Sequence, residues 1–371
     1  QPKMNPKISD ISEENGILKF TLSGVNVSLA NAVRRIILND IDTVVFRTET
    51  YGDNMCTIAV NTGRLHNEIL KQRLSCIPIH STKLDELPGN YILEINEKNE
   101  TDSMMFVTTE HFKIKNKETN EYMGKADVNR IFPMDLLSNQ YIDFCRLRPK
   151  IGDIPGEHIK LTCEFSIANA GVSSMFNVVS KCAYGNTIDL DAANDVWSEK
   201  ESKMKSEGST AEEIEYVKKN FYLLDAQRYF KKDSFDFVIE TLGIFTNNEI
   251  VKKACAIMQS KLLDFKEMIE GNEVSIEPSV VTMENSYDVI LKNEDYTLGK
   301  ALEYYLYENF YNSKDNKKLS FCAFKKLHPH DSTSCLRLAY AHGVSVSEIG
   351  KDLKEACIKL QEVFVAIHGM F

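Results

Sequence analysis

Cys322, His328, His330 and Cys335 gather two thiols and two imidazoles in one short stretch, and these are the side chains that ligate zinc. Their spacing matches none of the common zinc patterns, so a surface turn with satisfied polar groups is preferred over a metal site. Between residues 43 and 140 only Cys56 and Cys76 occur, short of the four closely spaced thiolates of a structural zinc site. Gly299-Lys300 lacks the upstream glycine of a phosphate-binding loop, and no GxSxG nucleophile motif is present. A Cys/His hydrolase has no local support. Neither is there a close cluster of aspartates able to hold the paired magnesium ions of nucleotide polymerisation. The sequence thus offers no catalytic residue, no metal ligand set and no cofactor site.

What it offers is recognition chemistry. Arg34 and Arg35 are adjacent guanidinium forks suited to carboxylates or backbone carbonyls. They interrupt the stretch VSLANAVRRIILNDI (27–41), where Leu29, Val33, Ile36, Ile37 and Ile41 recur at helical spacing and Ala30 and Ala32 allow close approach. The spacing predicts an amphipathic helix that needs a partner, capped by Asn26 or Ser28. A second polar group, His66, Glu68, Lys71, Gln72 and Arg73, lies on a short predicted helix whose apolar side is Leu65, Ile69 and Leu74. On pattern alone that face is an ordinary solvated one.

The remaining elements follow from periodicity. Residues 16–25 alternate as a strand, and Thr43–Arg47 begins another. YILEI and MMFVTTEHFKI, either side of the polar NEKNETDS, predict a hairpin, and Ile159–Ile167 and Met175–Ala183 predict paired strands. Residues 185–234 turn polar, with a helix expected over Glu212–Phe230 carrying Ile214, Val217, Phe221, Leu224 and Ala226 on one face. FDFVIETLGIF (235–245) reads as a strand before a helix capped by Asn247 or Asn248 and running to about Glu270, with Ile250, Ala254, Ile257, Met258, Phe265 and Met268 in its stripe. The last hundred residues repeat the plan: strand 280–291, helix 297–310, strands 319–325 and 334–340, then a helix whose stripe is Ile349, Leu353, Ala356, Leu360, Val363, Ile367 and Met370. Ser345 and Glu348 stand at capping-box spacing.

VSLANAVRRIIL followed by RLHNEILKQRLSCIPI resembles the signature of the alpha-like assembly subunits of multisubunit RNA polymerases: bacterial alpha, archaeal D and the third subunit of eukaryotic RNA polymerase II. HIKLTCEFSIANAGVSSMFNVVSKCAY (158–184) and FDFVIETLGIF agree, and NEDYTLGKALEYYL (293–306) with Leu327, His328 and Pro329 resembles the smaller partner, the archaeal L or eukaryotic eleventh subunit. The chain therefore resembles both halves of a heterodimer fused end to end, an arrangement associated with large DNA viruses. The resemblance implies an α+β fold in which two alpha-like dimerisation domains pack about a pseudo-twofold through helix pairs: 1–42 with 185–271, and 272–371, with a β-rich insert at 43–184. It places Leu29, Val33, Ile37, Ile250, Ile257, Leu302, Leu306, Leu353, Leu360 and Ile367 in the internal dimer interface. It also places Arg34, Arg35, His66, Glu68 and Arg73 where relatives meet the second-largest polymerase subunit. The largest subunit and a small tenth-type subunit are further implied partners, and catalytic magnesium is implied in the large subunits only. Many relatives carry a cysteine-rich metal site in the insert, whereas these cysteines predict none.

Composition is compatible. The 371 residues, 43% hydrophobic, suffice for two or three cores. A net charge of −10 argues against a general electrostatic grip on nucleic acid. Nine cysteines, an odd number with none paired two residues apart, point to a reducing compartment, and no apolar run reaches membrane-spanning length. An intracellular protein is expected and, if viral, one of the cytoplasmic replication site and virion. The competing reading is an unrelated homodimeric scaffold.

Overall fold

A computed structural model describes residues 4–371. The chain opens with β1 (Lys7–Glu14) and β2 (Ile17–Ser23), an antiparallel pair leading into α1 (Val27–Asn39). There follow β3 (Thr43–Val45), β4 (Cys56–Asn61), α2 (Asn67–Ser75), β5 (Tyr91–Lys98), β6 (Met105–Thr108), β7 (Lys113–Asn116), α3 (Lys125–Ile131), β8 (Asp143–Leu147), β9 (His158–Glu164) and β10 (Ser166–Ala168). Next come β11 (Val179–Ile188), the helices α4 (Leu190–Ser206) and α5 (Ala211–Leu223), β12 (Phe230–Thr241) and α6 (Asn247–Glu270). The C-terminal stretch holds β13 (Ile276–Pro278), β14 (Ser286–Lys292), α7 (Tyr296–Leu306), β15 (Leu319–Lys325), β16 (Thr333–Tyr340) and α8 (Val346–His368). The fold class is α+β.

The chain forms two compact units. One comprises the chain up to Ile36, Lys181–Ile239 and Val251–Phe371; the other comprises Ile37–Ser180 and Glu240–Ile250. Residues 272–371, expected as a domain of their own, thus share one unit with most of the first dimerisation segment.

In the first unit the sheet β1-β2-β12-β11 and the sheet β13-β14-β16-β15 are both antiparallel where their registers are defined. The long helices form because their apolar positions step by three and four and their ends are capped. Asn26 accepts the Ser28 N–H at 2.9 Å to start α1. Thr246 and Glu249 exchange bonds in a capping box before α6, a role expected of the asparagines that follow. Ser345 and Glu348 form the expected box at α8. Along α8, Ile349, Leu353, Ala356, Leu360, Val363 and Ile367 are buried, and Met370, past the helix end, is exposed.

The polar stretch read as a surface excursion is a helical hairpin, α4 and α5, with a small core of Ala193, Trp197, Phe221 and Ala226. Its second helix stops at Leu223, short of the predicted Phe230; Leu224 is exposed, and a tight turn at Asp225–Arg228 delivers the chain to β12. Strand β14 likewise starts at Ser286 rather than 280, because Ile276–Pro278 folds back on it as β13.

In the second unit the sheet runs β4-β9-β5-β7, with two-stranded ribbons β6-β8 and β3-β10. Of the hairpin predicted for YILEI and MMFVTTEHFKI only the far end forms, Lys113 and Ile114 pairing with Glu94 and Leu93, while Met105–Thr108 pairs elsewhere. Asn99, fully buried, donates its amide to the Ser103 and Leu147 carbonyls at 2.8 and 2.9 Å and accepts from the Thr101 N–H at 3.0 Å. That side-chain-built turn sends β6 to β8, leaving β5 to pair with β7 and β9. Nor do Ile159–Ile167 and Met175–Ala183 pair: β9 lies between β4 and β5, and β11 lies beside β12. Phe46, Phe112, Phe132, Phe144 and Phe165 share the core of this unit.

Candidate docking surfaces

Arg35 sits on α1 with side-chain exposure of 31%. Its guanidinium donates from Nη2 to the Asp295 carboxylate and from Nε to the Thr297 hydroxyl at 3.0 Å, and it lies 5.9 Å from the Tyr296 ring centre. Asp295 is the N-cap of α7 and accepts the Thr297 N–H at 2.9 Å. Burial would raise the Asp295 carboxyl, but the Thr297 N–H, the Arg35 charge and the Thr297 hydroxyl together hold it below its ordinary value. A guanidinium committed to a helix cap in its own unit is a positioning group. Arg35, expected to face another molecule, thus also has a bond within its own unit.

Other contacts join the same two stretches of sequence within this unit. Lys261 on α6 meets Glu294 at 3.3 Å, Phe20 on β2 packs edge-on to Phe371 at 4.9 Å, and a methyl group of Ile269 on α6 lies against Gly350 of α8. Leu29, Val33, Leu302, Leu306, Leu353, Leu360 and Ile367 are all buried, as are Ile37 and Ile250; Ile257 is half-buried, with Met258 beside it fully buried. Gly299 has a different role from a phosphate loop: a Cβ there would stand 2.1 Å from the Phe324 ring, so the residue exists to let α7 approach β15.

Arg34 keeps a half-buried guanidinium that donates to Asn31 Oδ1 at 2.9 and 3.0 Å from the same helix. Its charge reaches Cys182 and Tyr184 on β11: burial pushes the Cys182 thiol up to about 12, and Arg34 opposes that rise. No protein carboxylate is bonded to it in these contacts. It retains donors for another molecule.

On α2, in the second unit, the structure divides the expected polar group. Arg73, expected at the docking surface, donates to the carbonyls of Asp143 and Phe144, each at 2.6 Å, and so fastens α2 to β8. His66, the N-cap residue, and Glu68 in the first turn are exposed. The helix buries Leu70 and Leu74 with Leu65 half-buried, and Ile69, placed by periodicity on the inner face, is exposed. Glu68, Lys71 and Gln72 line a cleft of about 490 Å³ with Thr48, Glu49 and the fully exposed Tyr51. Thr48 ties the cleft wall to α2 through the Lys71 carbonyl and Ser75 hydroxyl at 3.0 and 2.6 Å. Nothing in the sequence pattern marked Tyr51; only its full exposure does.

The Cys/His stretch separates in space by class. Cys322 and Cys335 are buried on β15 and β16, facing Leu338 and Lys325 across the ladder, while His328 and His330 stack edge to face in the exposed connecting turn. Among the described residues no group of three or more His, Cys, Asp or Glu is disposed to hold a metal ion, and no helix is long and apolar enough to cross a membrane.

Residues 19–262 match the RNA polymerase Rpb3/Rpb11 dimerisation domain. The chain belongs to this family. Similar proteins include the DNA-directed RNA polymerase II subunit RPB3 of Schizosaccharomyces pombe, 25% identical over 304 residues covering 73% of this chain and 91% of that one. The DNA-directed RNA polymerases I and III subunit rpac1 of Dictyostelium discoideum is 30% identical over 178 residues, 43% of this chain and 46% of that one. The "Conjugation stage-specific protein" of Tetrahymena thermophila is 22% identical over 293 residues, 68% and 92% of the two chains. The matched residues contain the helices that bear Arg34, Arg35 and Glu68.

Proposed function

We propose that this chain is a non-catalytic assembly subunit of a DNA-dependent RNA polymerase, and that its C-terminal hundred residues supply internally the half that a separate smaller subunit supplies elsewhere. The observation that carries the reading is the Arg35 bond to the cap of α7. It ties a helix inside the family match to a strand-helix-strand-strand-helix module outside it, within one compact unit. A covalent join makes such a pairing intramolecular, at an effective concentration near roughly millimolar for a short flexible link.

On this reading the second-largest subunit docks on Arg34 and on the α2 cleft with His66 and Glu68. The largest subunit then joins, a small tenth-type subunit sits nearby, and magnesium belongs to the large subunits. The fused plan is that of a large DNA virus, with the protein in the cytoplasmic replication site and virion. A direct test is capture of purified second-largest subunit by the purified chain alone. Capture without any added small subunit supports the proposal; a requirement for a separate eleventh-type chain would remove the internal half from it.

A further inference from the structure

Cys56 on β4 and Cys163 on β9 stand directly opposite each other in an antiparallel ladder. The backbone bonds flank this pair rather than join it. The Glu164 N–H donates to the Met55 carbonyl at 3.2 Å, whereas the N–H and carbonyl of Cys56 are both taken by the Asn54 side-chain amide, at 3.2 and 3.0 Å. At such a non-hydrogen-bonded site the Cα atoms lie about 4.5 Å apart and the side chains approach most closely. That separation falls within the range of about 4.4–6.8 Å that a disulfide spans. Both thiols are buried in one core, at 2% and 0% exposure, and the Cys163 thiol also lies 3.6 Å from the Glu164 carbonyl, to which it donates.

We propose that Cys56 and Cys163 are a reversible redox pair that closes a cross-strand disulfide on reaction with hydrogen peroxide. Chemistry separates the two sulfurs. The Cys56 thiol is lowered, first by a hydrogen bond from Cys163 and then, against the opposing effect of burial, by the Lys71 charge; the same hydrogen bond and burial raise Cys163. Cys145, Cys182, Cys255, Cys322 and Cys357 are pushed up to about 12, each chiefly by burial. Among the buried cysteines Cys56 is thus the one favoured as thiolate, which is the nucleophilic form. Asn54 and Lys71, its neighbours, line the open cleft beside α2.

The steps balance. The Cys56 thiolate attacks one peroxide oxygen, an S–O bond forms as the O–O bond breaks, and the departing hydroxide takes up the proton that Cys56 had released, giving a sulfenic acid and water. With the negative charge on Cys56 gone, the hydrogen bond that held the Cys163 proton is gone too. The Cys163 sulfur attacks the Cys56 sulfur, the S–S bond forms, the S–O bond breaks, and hydroxide leaves with the Cys163 proton as water. Two thiols have lost two electrons and one peroxide has become two waters. Two equivalents of a small thiol reverse it, becoming its disulfide. The closed ring encloses β5 to β8 and so cross-links most of the second unit.

The test uses the full chain in its native state. It is exposed to hydrogen peroxide, its remaining thiols are alkylated after unfolding, and it is digested without reduction for mass spectrometry. The expected result is that a Cys56–Cys163 linked peptide accounts for most of the Cys56 recovered and that dithiothreitol abolishes it. The oxidised chain should also melt higher than the reduced one, reversibly. A Cys76→Ser variant, which removes the exposed thiol, should give the same map. Recovery of Cys56 and Cys163 as separately alkylated peptides while Cys76 carries the oxidation, or linkage only when peroxide is added to unfolded chain, would overturn the proposal.

Discussion

Arg35 donates to Asp295, a residue 260 positions away, and the bond joins the first helix of the chain to the cap of the seventh. The pairing turns an arginine expected at an outer surface into a brace between two repeats of one plan. Its partner Asp295 would otherwise cap α7 alone. Because both side chains remain about one third exposed, the bond contributes about 1 kcal/mol rather than the several of a fully buried pair.

Arg35 and Arg34 should therefore behave differently although adjacent. Arg35→Ala is expected to lower stability by about 1 kcal/mol, seen as a lower urea midpoint at unchanged slope. Arg34→Ala should leave the midpoint within about 0.5 kcal/mol and weaken capture of the second-largest subunit instead. Equal loss of stability in both variants would return Arg34 to a structural role.

Glu68 tests the cleft on α2 without disturbing the core, since its side chain is exposed. Glu68→Lys should reduce capture of the second-largest subunit by about tenfold or more, with the melting curve unmoved. Full capture by this variant would clear the cleft of a docking role.

Leu360 lies at the centre of the buried stripe of α8, with no exposed surface. Leu360→Asp places a carboxylate among apolar neighbours, which costs several kcal/mol and rivals the whole stability of a domain. The variant is expected to be insoluble or to lack a cooperative melt; a soluble chain as heat-resistant as the parent would contradict the packing.

Gly299 and Phe324 form a coupled pair. Gly299→Ala must displace the Phe324 ring, and an overpacked site of this kind costs about 1–3 kcal/mol even against the better helix propensity of alanine. Joined to Phe324→Ala, the same substitution should cost less than it does alone, and a double-mutant cycle from urea titrations measures the difference.

Acid should weaken the C-terminal sheet through Asp288. Arg337, opposite it on β16, donates two bonds at 2.6 Å, and this pairing, together with the Ser279 hydroxyl and against partial burial, brings the Asp288 carboxyl down to about 2. A depressed carboxylate adds stability above its unfolded value near 3.8 and loses it as pH falls through the folded value. Asp288→Asn is thus expected to cost about 1–2 kcal/mol at neutral pH and progressively less from pH 4 to pH 2, read from urea midpoints across that range. A cost that does not change with pH would mean the ion pair is not its source.

The long helices were legible because their stripes are local. Leu29 to Ile37 and Ile349 to Ile367 declare themselves by spacing, and Ser345 with Glu348 declares a start. Shorter elements misled. Nine residues of α2 carry too few turns to fix its phase, so periodicity puts Ile69 inside where Leu70 belongs. The hairpin expected at YILEI forms only through Lys113 and Ile114, because one buried amide, Asn99, decides where Met105–Thr108 goes, and no periodicity reports it. Pairings across many residues were equally hidden: Arg35 with Asp295, Arg73 with the β8 carbonyls, and Cys56 with Cys163 are consequences of register and packing, not of local pattern. Trp197 stood alone in a polar stretch, and only the return of Phe221 on α5 shows what it packs against.

The most direct measurement is a subunit census of the polymerase isolated through a tag on this chain, read by native mass spectrometry and peptide identification. The expected result is one copy of this chain with the largest and second-largest subunits and no separate Rpb11-type polypeptide. A stoichiometric small partner of that type, or recovery of the chain as a homodimer free of large subunits, would contradict the assignment of both dimerisation halves to a single chain.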